Sequence, residues 1–178
     1  GLNLIEVETY NLTNADIQNT KMLSKHEIIE LKNAVNTEYN CLRSWLIPSL
    51  MEVFNHNLSR EYPQNIFGHG RVFKKGNSET GIIENDNISV GLCNEKADFT
   101  SIKQVLDYLL RMLDLKYEIA PSDNSSFIPG RVGQIIINKK QIGFIGELHP
   151  QVISNFNIEL PILLFEIDLK ELFDASRK

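Results

Sequence analysis

The run from Phe127 to Pro150 leaves fewer folding options than any other part of this chain, because residues with special backbone demands recur in it at fixed offsets. Pro129-Gly130 sets a tight turn that delivers Arg131 into an extended segment. Residues 134–145 read as two β-branched strands meeting at Asn138-Lys139-Lys140-Gln141, a hairpin signal. Gly143 and Gly146 leave the second strand bare where something packs closely. His149-Pro150 then forces an extended residue ahead of a helix start, since proline suits the first helical turn.

The rest of the chain alternates short strands with amphipathic helices. Residues 4–10 alternate as a strand, 15–23 as a short helix capped by Asn14, and 27–31 as a short apolar strand. Leu42, Leu46, Leu50, Val53, Phe54 and Leu58 recur at three- and four-residue steps, predicting a helical region with a kink or restart at Pro48. Residues 66–74 read as a strand. Residues 81–93 read as a hairpin turning at Asn85-Asp86-Asn87, residue types that tolerate left-handed backbone. The clearest helix spans 101–115, with Thr100 as N-cap and one stripe from Ile102 to Leu113. An edge strand at 116–120, a polar loop at 121–126, a helix at 150–156 and a strand at 162–168 complete the pattern. Hairpins predominate, so the expected class is α+β: an antiparallel sheet with helices covering one face.

With 178 residues, 42% of them hydrophobic, the chain can bury one good core, and residues 1–178 read as a single domain. Because it starts at Gly1 almost inside a strand, it reads as a fragment of a longer subunit. A net charge of -5 and a pI near 5.4 weigh against a free-standing nucleic-acid binder. No apolar run approaches the roughly 18 residues a membrane span needs, which supports a cytoplasmic assignment. Cys41 and Cys93 are too few for a disulfide framework and read as reduced thiols.

Several ordered blocks resemble one family. Glu147 through Val152 and Pro161 through Leu169 are similar to the C-terminal core of the phenylalanyl-tRNA synthetase β subunit. So are Asn33-Ala34 through Tyr39, the run Leu42-Arg43-Ser44-Trp45-Leu46-Ile47-Pro48-Ser49-Leu50, and Ala97-Asp98-Phe99-Thr100-Ser101-Ile102-Lys103, the wording being that of the archaeal and eukaryotic branch. Ala34 replaces the family's usual proline, and Lys139-Lys140 lacks the glycine often found in that turn. The resemblance implies a class II synthetase-like fold and a structural role, in which the domain supports the catalytic α subunit within an (αβ)2 heterotetramer that charges tRNA-Phe. It also implies that ATP and Mg serve the whole enzyme, with no cofactor bound by this domain.

Catalytic members of that class carry an arginine and a glutamate two residues apart on one strand, and a glycine-rich segment ending in arginine. Fixed cations of that kind neutralise charge in the transition state. No Arg-x-Glu pair occurs here, and Gly143 through Pro150 contains no arginine, so no catalytic residue is expected. An independent amino-acid-activating paralogue is the alternative, and it would need those arginines. The four histidines show none of the spacing of a zinc site, so no metal site is expected. Gly68-His69-Gly70-Arg71 is too short for a phosphate loop and reads as a bulge or close approach.

The remaining candidates are interface or structural residues. Arg43 sits at the front of the predicted amphipathic helix and Arg131 where the chain enters the hairpin, with Glu147 and Glu166 as internal partners. Each arginine is either half of a buried ion pair that fixes register or a contact to another subunit. Trp45 and Phe54 offer a core stripe together with an outward aromatic anchor. Gly130 is expected at positive φ, and His149 is placed to hydrogen-bond backbone groups in its turn.

Overall fold

The computed structural model of the chain describes residues 2–34 and 36–177; Val35, inside the 33–39 block, lies outside them. In chain order the elements are β1 (Ile5–Glu6), β2 (Leu12–Thr13), a π-helical turn at Asp16–Thr20, β3 (Ile29–Glu30), β4 (Cys41–Leu42), α1 (Ile47–His56), β5 (Gln64–Lys75) and β6 (Ile82–Cys93). Then come α2 (Phe99–Met112), β7 (Glu118–Pro121), β8 (Phe127–Ile137), β9 (Lys140–Leu148), α3 (Pro150–Asn155), β10 (Ile162–Asp168) and α4 (Leu169–Ser176).

Among the described residues, seven strands form one sheet in the order β1-β5-β6-β10-β9-β8-β7, and β2, β4 and β3 form a small second sheet. All neighbours in the large sheet run antiparallel except β1, which pairs parallel to β5. The sheet is therefore mixed, and the expectation of a purely antiparallel one is corrected. A parallel partner needs a long crossover. Here the segment carrying the small sheet and α1 supplies it.

The central strand β10, Ile-Leu-Leu-Phe-Glu-Ile-Asp, is buried along all but its last residue. Ile162 and Leu164 pack with Leu50, Met51 and Phe54 of α1 and Val152 of α3, while Leu163, Phe165 and Ile167 pack with Ile102, Leu106 and Leu110 of α2 and Leu172 of α4. Successive side chains of a strand point to opposite faces. Helices thus cover both faces, where the sequence suggested one.

Three local readings change with the structure. Residues 42–46 are not helical: Pro48 stands in the first turn of α1, so the restart is the whole helix, and Arg43 lies in the connection from β4. The hairpin turn sits at 76–81, where the Gly76 amide bonds to the Gly81 carbonyl, and Asn85-Asp86-Asn87 lies within the straight strand β6. Helix α2 is capped by Asp98, whose carboxylate accepts from the Ser101 amide at 2.8 Å, and not by Thr100.

Candidate functional site

Arg43 is almost fully buried between the two sheets. Its Nε donates to the Arg71 carbonyl at 2.7 Å, and its Nη1 donates to Thr9 Oγ1 at 2.7 Å and to the Thr9 and Tyr10 carbonyls at 3.4 Å. Its own amide donates to the Asn11 carbonyl, and its carbonyl accepts from the Phe73 amide. One guanidinium therefore ties the N-terminal segment to β5. A Cβ on Gly70 would collide with Nη2, so the strand is bare where the Arg43 side chain crosses it; Gly68 instead lies close to the Val7 carbonyl and Leu50. Burial lowers the Arg43 pKa, and the charge of Glu166 opposes that shift.

Glu166 points from the middle of β10 toward α1 and is 2% exposed. Its Oε2 accepts from the Leu46 and Ile47 amides at 2.9 and 3.1 Å, and its Oε1 accepts from Asn87 Nδ2 at 2.6 Å. Helix starts leave amides without intrahelical partners, and a carboxylate there also meets the positive end of the helix dipole. Leu46 has no capping side chain of its own; the strand supplies one. Burial raises the Glu166 pKa, while Asn87, the two amides and the more distant Lys74 pull it down. The expected Arg43 ion pair with Glu147 or Glu166 does not form. Arg43 uses carbonyls and Thr9 instead, and Glu166 uses amide donors.

Nearby, Gln18 is fully buried, and its Oε1 accepts from the Ser44 amide and hydroxyl at 3.0 and 3.2 Å. Thr9 and Gln18 are not singled out by the sequence, which presents Asn87 as a turn residue and not as a partner of Glu166. A glutamate inside an otherwise apolar strand was the signal for this centre, since a buried carboxylate requires donors from elsewhere.

Trp45, expected as an outward anchor, is 3% exposed; its indole donates to the Gln18 carbonyl at 3.3 Å and its ring lies 4.6 Å from that of His26. Burial, then the charge of Lys74, lowers the pKa of His26. Phe54 is also core, on the buried face of α1. Trp45 lies just ahead of α1, beside the Leu46 and Ile47 amides that bond Glu166, and packs into the same core cluster as Ile47 and Leu50.

At the other end of the sheet, Arg131 Nη1 meets Glu147 Oε2 at 2.6 Å. The pair bridges β8 and β9, as an internal lock requires, but Arg131 is 59% exposed and Glu147 15%. Gly130 takes φ +77° in open space. His149 caps α3, its Nδ1 accepting from the Gln151 amide at 3.1 Å. A groove of about 930 Å³ runs past Arg131, Glu147, Asp98 and Asp123. Among these groove side chains Arg131 is the one cation, and it is already engaged.

Residues 1–169 match the family model described as the phenylalanyl tRNA synthetase beta chain CLM domain. The chain is 44% identical over 175 residues to the phenylalanine-tRNA ligase beta subunit of Pyrococcus abyssi, covering 97% of this chain and 32% of that protein. It is 37% identical to the beta subunit of Thermococcus kodakarensis, covering 97% and 33%, and 34% identical to that of Archaeoglobus fulgidus, covering 99% and 32%. The chain spans about a third of the length of these curated relatives. On this match over nearly its whole length, the chain belongs to the phenylalanyl-tRNA synthetase beta chain CLM domain family.

Proposed function

We propose that this chain is a single, non-catalytic, class II synthetase-like domain of a phenylalanyl-tRNA synthetase β subunit. Its role is to hold the α subunit in an (αβ)2 assembly that forms phenylalanyl-tRNA in the cytoplasm. The observation that carries the reading is that both charged side chains buried at the sheet, Arg43 and Glu166, are occupied in building the fold. Arg43 is spent on carbonyls, Glu166 on a helix start, and Ser89 on the Phe165 carbonyl. A sheet that activates an amino acid must instead present cations to phosphate on an open face. Here both faces carry helices. In this reading ATP and Mg are bound by the α subunit, and tRNA-Phe meets the assembled complex.

The test is phenylalanine-dependent ATP–pyrophosphate exchange by this chain alone and with the α subunit. Exchange is expected only when α is present, with the two proteins co-eluting by size exclusion. Exchange by the chain alone would overturn the reading.

A further inference from the structure

Asn87 stands between the two buried charges at the sheet. Its Nδ2 donates to Glu166 Oε1 at 2.6 Å. A carboxylate only accepts, so this bond fixes which end of the amide faces Glu166 and turns Oδ1 away from it. Oδ1 is buried and has no donor among the described residues. Asn87 lies directly opposite Gly70 in the pairing of β5 with β6, and Gly70 is where Arg43 crosses the strand: a Cβ there would meet Nη2. Nη2 is also the one guanidinium nitrogen of Arg43 without a hydrogen bond among the described residues, since Nε takes the Arg71 carbonyl and Nη1 takes Thr9 and the Tyr10 carbonyl. Directly opposed residues of an antiparallel pair have their Cβ positions about 4.5–5.5 Å apart, on the same face of the sheet. A buried acceptor lacking a donor and a cationic donor lacking an acceptor therefore meet over a single residue pair.

Two hydrogen bonds through one water span about 5.5 Å, and buried waters settle where otherwise unsatisfied polar groups converge. We infer that one bound water joins Arg43 Nη2 to Asn87 Oδ1, and that Asn87 thereby couples the arginine anchor of the N-terminal segment to the carboxylate cap of α1. The water accepts from Nη2 and donates to Oδ1, while Nδ2 carries the chain of hydrogen bonds on to Glu166. Two elements far apart in sequence, the Thr9–Asn11 segment and the first turn of α1, are in this way held by one network. The charge of Glu166 is felt at Arg43, in keeping with that proximity.

The experiment combines a crystal structure of the chain with amide hydrogen exchange by NMR. Density for one water is expected within about 3.2 Å of both Nη2 and Oδ1; direct contact between these atoms, or no ordered water joining them, overturns the bridge. For the exchange measurement, Thr9→Val keeps the shape of the side chain and removes the hydroxyl to which Nη1 donates. The Leu46 and Ile47 amides bond Glu166, not Arg43, yet they are expected to exchange threefold or more faster in this variant, with the Val105 and Leu106 amides of α2 unchanged. An unchanged rate at Leu46 and Ile47 means two independent centres, and equal acceleration in α2 means a general loosening; either overturns the coupling. Asn87→Leu, which keeps bulk and removes both ends of the amide, is expected to abolish the response to Thr9→Val, and a response that survives it overturns Asn87 as the link. Where Asn87→Leu does not fold, the Thr9→Val rates and the density decide.

Discussion

Replacing Glu166 separates the hydrogen bonds of a buried carboxylate from its charge. In Glu166→Ala, the Leu46 and Ile47 amides and Asn87 Nδ2 all lose their acceptor inside the protein. Each unsatisfied buried donor costs about 1–3 kcal/mol, and the cavity adds to it, so the loss should be about 4–8 kcal/mol. That is comparable to the whole stability of a typical domain, about 5–15 kcal/mol. Glu166→Gln keeps the shape and one acceptor oxygen, enough for the two amides. The new amide group would then face Asn87 Nδ2, a clash of donors. Asn87 Oδ1, however, is buried without a partner, so a flip of the Asn87 amide turns that clash into a hydrogen bond. The glutamine variant should therefore cost much less than alanine, about 1–2 kcal/mol for the rearranged hydrogen bond to Asn87.

The pH dependence follows from the raised pKa of Glu166, which burial causes. Within the window between the ordinary glutamate range and that raised value, the folded state binds the proton that the unfolded state has released. Stability must therefore fall as pH rises through this window. Glu166→Gln lacks that slope, so its deficit relative to the wild type should be largest at the acid end and shrink as pH rises. Urea unfolding of the three proteins across the acid range checks both claims. If glutamine costs as much as alanine, the acceptor count does not carry the site.

Other substitutions follow from exposure and backbone. Trp45→Ala should cost about 3–5 kcal/mol in chemical unfolding, with α binding falling only as the folded fraction falls; a loss of binding at unchanged stability would contradict its core placement. Arg131→Lys should change stability by no more than about 1 kcal/mol, because solvent screens this pair, and a larger loss in a melting curve would mean the forked geometry matters more than exposure suggests. Gly130→Ala, at φ +77° with nothing nearby, should cost about 1 kcal/mol from backbone alone. Lys139→Gly, at φ +66° in the β8–β9 turn, should have the opposite sign and gain about 0.5 kcal/mol, strain relief exceeding the added freedom of the unfolded chain. Equal signs for the two glycine exchanges, measured side by side by thermal unfolding, would refute the conformational argument.

Where local rules and packing agreed, the sequence was enough. The stripe from Ile102 to Leu110 is the buried face of α2, and the 134–145 hairpin turns where Asn138 and Lys139 both take positive φ. Where tertiary partners overrode local preference, it misled. Asn85 and Asn87 are turn formers by propensity, but their side chains bond Asp168 and Glu166 of the neighbouring strand, and this holds β6 straight. Helix α4 went unread although Asp168-Leu-Lys-Glu171 has the spacing of a capping box, and Asp168 does accept from the Glu171 amide at 3.1 Å. At the candidate site, Arg43 and Glu166 were visible as unusual charges. Their partners were not, because carbonyls and amides leave no trace in side-chain spacing.

The cap on α1 has a consequence for synthesis. The Leu46 and Ile47 amides meet their acceptor at Glu166, 120 and 119 residues further along the chain. While a ribosome extends the polypeptide, α1 emerges early and can coil. Its leading turn must stay hydrated until the central strand is made, well over 100 residues later. A nascent chain stalled short of residue 166 should hold the helix with its first turn frayed, leaving a protease access near Leu46 that the finished protein closes.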